Sequence, residues 1–231
     1  MNQQKQVLMV VTSHATLGDT DKPTGLYFDE LATPYYALVD NSIKVVIASP
    51  LGGRTPIVPS SLGSDENRPT NVAKFMQDMA AMQKLNNATA LANIDATQFD
   101  GIFLAGGHGT MFDLPNDKNL ANILGKMFDA NKVIGAVCHG PAGLVLAKCS
   151  DGKSILFGKK VSAFSNSEEE KVGLTNVVPF LLETKIIELG GIYEKSADFA
   201  EHAVQDGNLI TGQNPASAAK VAKLLTQALM V

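Results

Sequence analysis

Short apolar runs alternate with segments of helical spacing along this chain. Val7–Thr12 (VLMVVT), Lys44–Ala48 (KVVIA), Gly101–Ala105 (GIFLA) and Val133–Val137 (VIGAV) are continuous apolar runs bounded by Gly, Pro, Asp or Ser. That pattern predicts strands buried on both faces. Lys160–Phe164 and Asn208–Thr211 are further candidate strands. Between them, apolar positions recur every three or four residues. Tyr27–Val39 repeats at Phe28, Leu31, Tyr35 and Leu38, and Asn119–Ala130 at Leu120, Ile123, Leu124, Met127 and Phe128. Val72–Leu85, Val177–Leu189 and Ala216–Leu229 complete the predicted helices. Strands alternating with helices predict an α/β fold with a mainly parallel central sheet and helices on both faces. Only 50–71, with Pro50, Pro56, Pro59 and Pro69, breaks the rhythm. Because the strand pattern resumes beyond it, it is read as a long loop within one domain spanning 1–231. Its length suits a lid, an interface or a plain insertion.

Composition narrows the function. Hydrophobic residues make up 45% and charged residues 18%, which excludes the signature of disorder. A net charge of −4 supplies no electrostatic reason to bind nucleic acid or an anionic membrane surface. Two cysteines, Cys138 and Cys149, make no disulfide framework and suit a reducing compartment. The amino-terminal stretch lacks the features of a signal peptide, and no apolar run reaches the roughly 18 residues of a membrane span. A cytoplasmic protein is expected.

Four segments carry candidate chemistry. In VIGAVCHGPA (133–142) a predicted strand ends at Cys138, followed by His139, Gly140, Pro141 and an apolar helical run to Ala147. This is the sequence shape of a nucleophile elbow, with the helix amino terminus expected to favour a thiolate. The bland alternative makes Cys138 one more buried small hydrophobe, which is the reading preferred for Cys149. LAGGHGT (104–110) is a glycine loop after a strand. It lacks the dinucleotide and P-loop signatures, but the N–H groups of Gly107 and His139 could together form an oxyanion hole, with His108 lining the pocket. Glu30 lies within the apolar TGLYFDELATP (24–34), either on a solvated face or facing inward with a raised pKa. FSNSEEEK (164–171) follows a predicted strand, where one carboxylate could orient an imidazole. His14, His108 and His202 are too scattered to read as a metal site.

Together AVCHGPA, LAGGHGT, the Glu30 segment and TGQNPASA (211–218) resemble the ThiJ/PfpI superfamily, which has the class I glutamine amidotransferase-like fold. The chain is most similar to its heat-shock-protein-31-like branch, which includes glutathione-independent glyoxalase III. The resemblance runs over almost the whole chain. It implies a flavodoxin-like α/β sandwich and a homodimer. By the same resemblance Cys138 is the nucleophile, His139 the catalytic histidine and Glu30 the acid that hydrogen-bonds the thiol. Glu169 falls on the third triad position, with Glu168 and Glu170 as alternatives, and Gly107 and His139 match the oxyanion donors. The zinc ligands of some relatives find no counterpart, so no metal is expected, and no cofactor. The implied reaction converts methylglyoxal or glyoxal, small 2-oxoaldehydes, to lactate or glycolate. Protein deglycation and peptidase or amidase activity would use the same cysteine. A holding chaperone using the Met-rich 75–82, or a redox sensor at Cys138, are rivals of another class.

Overall fold

The computed structural model describes residues 4–230. Nine strands form: β1 (Gln6–Val10), β2 (Lys44–Ser49), β3 (Thr89–Ala90), β4 (Gly101–Leu104), β5 (Val133–Val137), β6 (Lys160–Val161), β7 (Ile192–Tyr193), β8 (Ala203–Asp206) and β9 (Leu209–Gly212). The α-helices are α1 (Asp29–Val39), α2 (Thr70–Gln77), α3 (Met79–Asn86), α4 (Thr110–Asp113), α5 (Lys118–Asp129), α6 (Asn166–Lys171), α7 (Leu182–Glu188) and α8 (Ala218–Leu229). The central sheet has seven strands in the order β3-β2-β1-β4-β5-β9-β8. All its pairings are parallel except β8 with β9. This is the expected flavodoxin-like sandwich.

The apolar runs are continuous because each strand feeds two cores. Val7, Met9 and Val11 face one cluster with residues of α1 and α8, while Leu8 and Val10 face the other with residues of α5. Phe103 and Ala105 likewise oppose Ile102 and Leu104. With side chains alternating along a strand, Val7–Val10 of β1 and the whole of β4 are closed to solvent on both faces. Helix α5 shows how local signals agree with this packing. Asp117 caps its first turn by accepting from the Leu120 N–H at 2.8 Å, and Leu120, Ile123, Leu124 and Met127 turn inward.

Several expectations need correction. The predicted helix 72–85 is broken at Asp78, whose backbone is extended and whose carboxyl caps α3 by accepting from Ala80 and Ala81. Only Leu182–Glu188 of the predicted helix 177–189 is helical, because Pro179 lacks an N–H and disfavours helix before it. Of the predicted strand 160–164 only Lys160–Val161 pairs, with β7, in a separate two-stranded sheet. The rest is drawn off the ladder: Ser162 N–H donates to Thr211 Oγ1 and Phe164 N–H to the Cys138 carbonyl. The short strands β3 and β7 and the half-exposed edge strand β8 carry no continuous apolar run and were not expected. Among the described residues, no helix is long and apolar enough to cross a membrane.

Strand order reverses at β1: the chain passes from β1 to β2 and β3 on one side, then crosses back to β4 on the other. Open parallel sheets bind ligands at the carboxyl edge of such a switch point. Strands β4 and β5 end there side by side, with Leu104 opposite Ala136. The glycine loop and the Cys138 turn therefore meet at one edge.

Candidate active site

Cys138 follows the last residue of β5 with φ of +59°, a left-handed conformation unusual for a residue bearing a Cβ. Such strain, about 1–3 kcal/mol, persists only where the surroundings over-determine it. Here Cys138 N–H donates to the Gly212 carbonyl of β9, and its own carbonyl accepts from Phe164. The segment after it is a single 3₁₀ turn, Gly140–Leu144, instead of the expected α-helical run to Ala147. No α-helix therefore begins beside Cys138 to favour the expected thiolate. Burial first, and then the facing Glu30 carboxyl, push the Cys138 thiol well above its ordinary value.

His139 lies directly beyond, with Nδ1 3.3 Å from Cys138 Sγ and Nε2 2.8 Å from Glu169 Oε2. Its ring is held between His108, at 4.0 Å between centroids, and Phe164, at 4.4 Å. Burial, with His108 alongside, pulls the His139 pKa down to about 4 against the pull of Glu169, so the imidazole is neutral at physiological pH. Burial pushes the Glu169 carboxyl up, but hydrogen bonds from His108 and His139 outweigh it and hold it at about 2. A carboxylate only accepts, so His139 Nε2 carries the hydrogen and Nδ1 turns its lone pair to the thiol.

The three consecutive acids have three fates. Ser165 and Glu168 form a capping box that starts α6, an element absent from the expected pattern. Glu168 is buried, accepting from Ser165 N–H, Phe199 N–H and Asn214 Nδ2. Glu169, on the next face, receives His139 and also His108, whose Nε2 lies 2.8 Å from Oε1. Glu170 points outward. Helical rotation separates them, where the sequence left all three open as the partner of His139.

Glu30 faces inward from the first turn of α1 and is fully buried. Both its oxygens lack a partner at full hydrogen-bond geometry, with the Cys138 thiol and the Gly106 N–H facing them more loosely. Burial pushes this carboxyl up to about 8 against those two groups. Gly106 lets it approach, since a Cβ there would stand 2.3 Å from Glu30 Oε2. Gly107 has φ of +106° and packs so tightly on Gly25 and Tyr27 that only glycine fits. Among the described residues, neither the Gly107 N–H nor the His139 N–H donates to a protein oxygen. Thr110 Oγ1 ties the two loops together by donating to the carbonyls of Gly107 and His139.

The sulfur opens on a cavity of about 450 Å³ lined by Tyr27, Gly107, His108, Cys138, His139 and Phe164, with Val58 and Ser60 from the long proline-bearing loop. His108, His139 and Glu169 present three possible ligand atoms within 4.8 Å of one another. In this arrangement those atoms are engaged with each other through the two hydrogen bonds on Glu169. Sequence reasoning missed this second imidazole on Glu169 and the two aromatic walls, Phe164 and Phe199. Cys149 is half-buried against the second core, and His202 lies outside the site, its N–H donating to Ser217 Oγ.

Sheet, switch point and cavity define a flavodoxin-like α/β protein with a Cys-His-Glu cluster at the carboxyl edge of its sheet. The chain belongs to the DJ-1/PfpI family, whose model matches residues 28–228. A glutathione-independent glyoxalase of Schizosaccharomyces pombe, hsp3101, is 30% identical over 96% of this chain and 95% of its own. Among solved structures, the rapid encystment protein of Francisella tularensis superposes with a TM-score of 0.94 at 40% identity, covering 98% of this chain and 99% of that one. Glyoxalase III of Candida albicans superposes with a TM-score of 0.88 at 27% identity, covering 97% of each chain.

Proposed function

We propose that this chain is a glutathione-independent glyoxalase that converts small 2-oxoaldehydes to 2-hydroxy acids through a covalent adduct on Cys138. One observation carries the reading: the Cys138–His139–Glu169 relay, with the Nδ1 lone pair turned to the thiol, faces an accessible cavity. The glyoxalase relatives, similar over nearly their whole length, support it.

The steps follow from the groups present. Cys138 Sγ adds to the aldehyde carbon of methylglyoxal while its proton passes to His139 Nδ1 and on to the carbonyl oxygen, giving a hemithioacetal. Glu169 holds the imidazole in register and stabilises it while it is charged. The N–H groups of Gly107 and His139 are the donors for the oxygen on which charge develops. A base then removes the proton from the former aldehyde carbon to give an enediol. His139 Nδ1 carries no proton near neutral pH, whereas Glu30, at about 8, is mostly protonated there and suits the acid role. Reprotonation at the neighbouring carbon yields a thioester, which water hydrolyses to lactate. The aldehyde carbon is oxidised as the keto carbon is reduced, so the chemistry needs no external reductant.

Purified protein with methylglyoxal and no glutathione is expected to form lactate, and Cys138→Ala to lose that turnover. Lactate formation by Cys138→Ala at the native rate would refute the mechanism.

A further inference from the structure

The cavity is larger and more apolar than methylglyoxal requires. At about 450 Å³ it lies in the range, about 300–1,000 Å³, that holds drug-sized ligands. A three-carbon oxoaldehyde at the sulfur would leave most of that space to water. Its apolar lining includes the buried Leu17 and Phe164 together with Val58 and Leu174, which are half-buried, and Val172 and Phe199, which are exposed although fold stability alone would bury them.

Phe199 is the most telling of them. Its backbone has φ of +61°, a conformation costly for any residue with a Cβ and more so for a bulky one. The residue remains 47% exposed, so core packing does not account for that conformation. The conformation is instead held from below: Phe199 N–H donates at 2.7 Å to Oε1 of the buried Glu168, which also receives Asn214 Nδ2. Glu168 is the neighbour of Glu169 on α6, so one short helix both holds the imidazole and fixes this wall. The Phe199 ring lies 6.3 Å from that of Phe164, which packs directly on His139. An aromatic wall thus runs from the reacting group to the rim.

We infer that this wall is a subsite for the substituent on the keto carbon, and that the site prefers 2-oxoaldehydes bearing a bulky apolar group over methylglyoxal. The inference rests on the glyoxalase reading and specifies its substrate class. With phenylglyoxal the balance is unchanged. Sγ bonds the aldehyde carbon, that carbon is oxidised while the keto carbon is reduced, and water cleaves the thioester to give mandelate and a proton.

The test measures kcat/KM for phenylglyoxal and methylglyoxal, by mandelate and lactate formation, in wild type, Phe199→Ala, Phe199→Leu and Leu174→Ala. Phenylglyoxal also modifies arginine, but neither Arg54 nor Arg68 lines the cavity. The expected wild-type ratio favours phenylglyoxal by about tenfold or more, the discrimination of a modest apolar contact. Phe199→Ala and Leu174→Ala are each expected to lower that ratio several-fold, with Phe199→Leu intermediate. Comparing variants removes the intrinsic reactivity of the two aldehydes. A wild-type ratio at or below one, or a ratio unmoved in every variant that folds, overturns the subsite while leaving the glyoxalase reading standing. Absence of Cys138-dependent turnover of either aldehyde overturns both.

Discussion

Glu30→Gln separates the carboxyl's cost to folding from its use in chemistry. The side chain is fully buried, without an ionic partner, and its pKa rises from an ordinary 4.5 to about 8. A raised folded-state pKa means that this residue's contribution to stability is intact below pH 4.5 and is lost as pH rises through 8. From pH 4.5 to 7 the unfolded chain releases the proton and the folded chain keeps it. At about 1.4 kcal/mol per pH unit, that penalises the folded state by about 3 kcal/mol at pH 7. Glutamine has the same shape and does not ionise. The difference in unfolding free energy, variant minus wild type, is therefore expected to grow by about 3 kcal/mol from pH 4.5 to 7. Urea unfolding at several pH values below 8 measures it, before the Cys138 thiol adds its own titration. His139 and Glu169 titrate in both proteins, so their contributions largely cancel in the difference. A difference that stays flat across this range, or shrinks, would refute the assignment of Glu30 as a buried carboxyl kept protonated by desolvation. A variant more stable at neutral pH yet catalytically impaired would be the expected trade between stability and function.

The remaining predictions concern turnover. The kcat/KM profile for methylglyoxal is expected to be a bell with limbs near pH 4 and pH 8, from His139 and Glu30, and Glu30→Gln is expected to remove the alkaline limb. An acidic limb at 6.5 would show instead that the imidazole is not desolvated as described. Glu169→Gln is expected to lower kcat by about 10²–10⁴-fold, because the amide offers one acceptor where two imidazoles donate, so that its NH₂ disturbs the tautomer, and it has no charge to steady the imidazolium. Steady-state kinetics together with an unchanged circular dichroism spectrum would check this, and near-native turnover would exclude the relay.

The central strands and the longer helices were legible because they are two-faced or amphipathic over enough residues for periodicity to register. The Cys138 elbow and glycine loop were legible because the chemistry requires contiguous residues: a strand end, a small turn and permissive backbone. Legibility failed where a single residue overrides a pattern, as Asp78 does within 72–85 and Pro179 within 177–189. It failed also where a short segment is shaped by distant partners, as Phe164 is by the carbonyl of Cys138.

What the sequence determined by itself, then, was the α/β class, the edge of the sheet where chemistry would gather, and the residue types that would gather there. The tertiary structure alone decided which way each charge pointed and how freely it ionises. It turned Glu30 inward, parted Glu168, Glu169 and Glu170 onto three faces of one short helix, and brought His108 onto the acid already held by His139. It also set desolvation and a facing carboxyl against the expected thiolate, and put a 3₁₀ turn where an α-helix was expected. Proton affinity depends on solvent exclusion and on neighbours distant along the chain, and those exist only once the chain has packed.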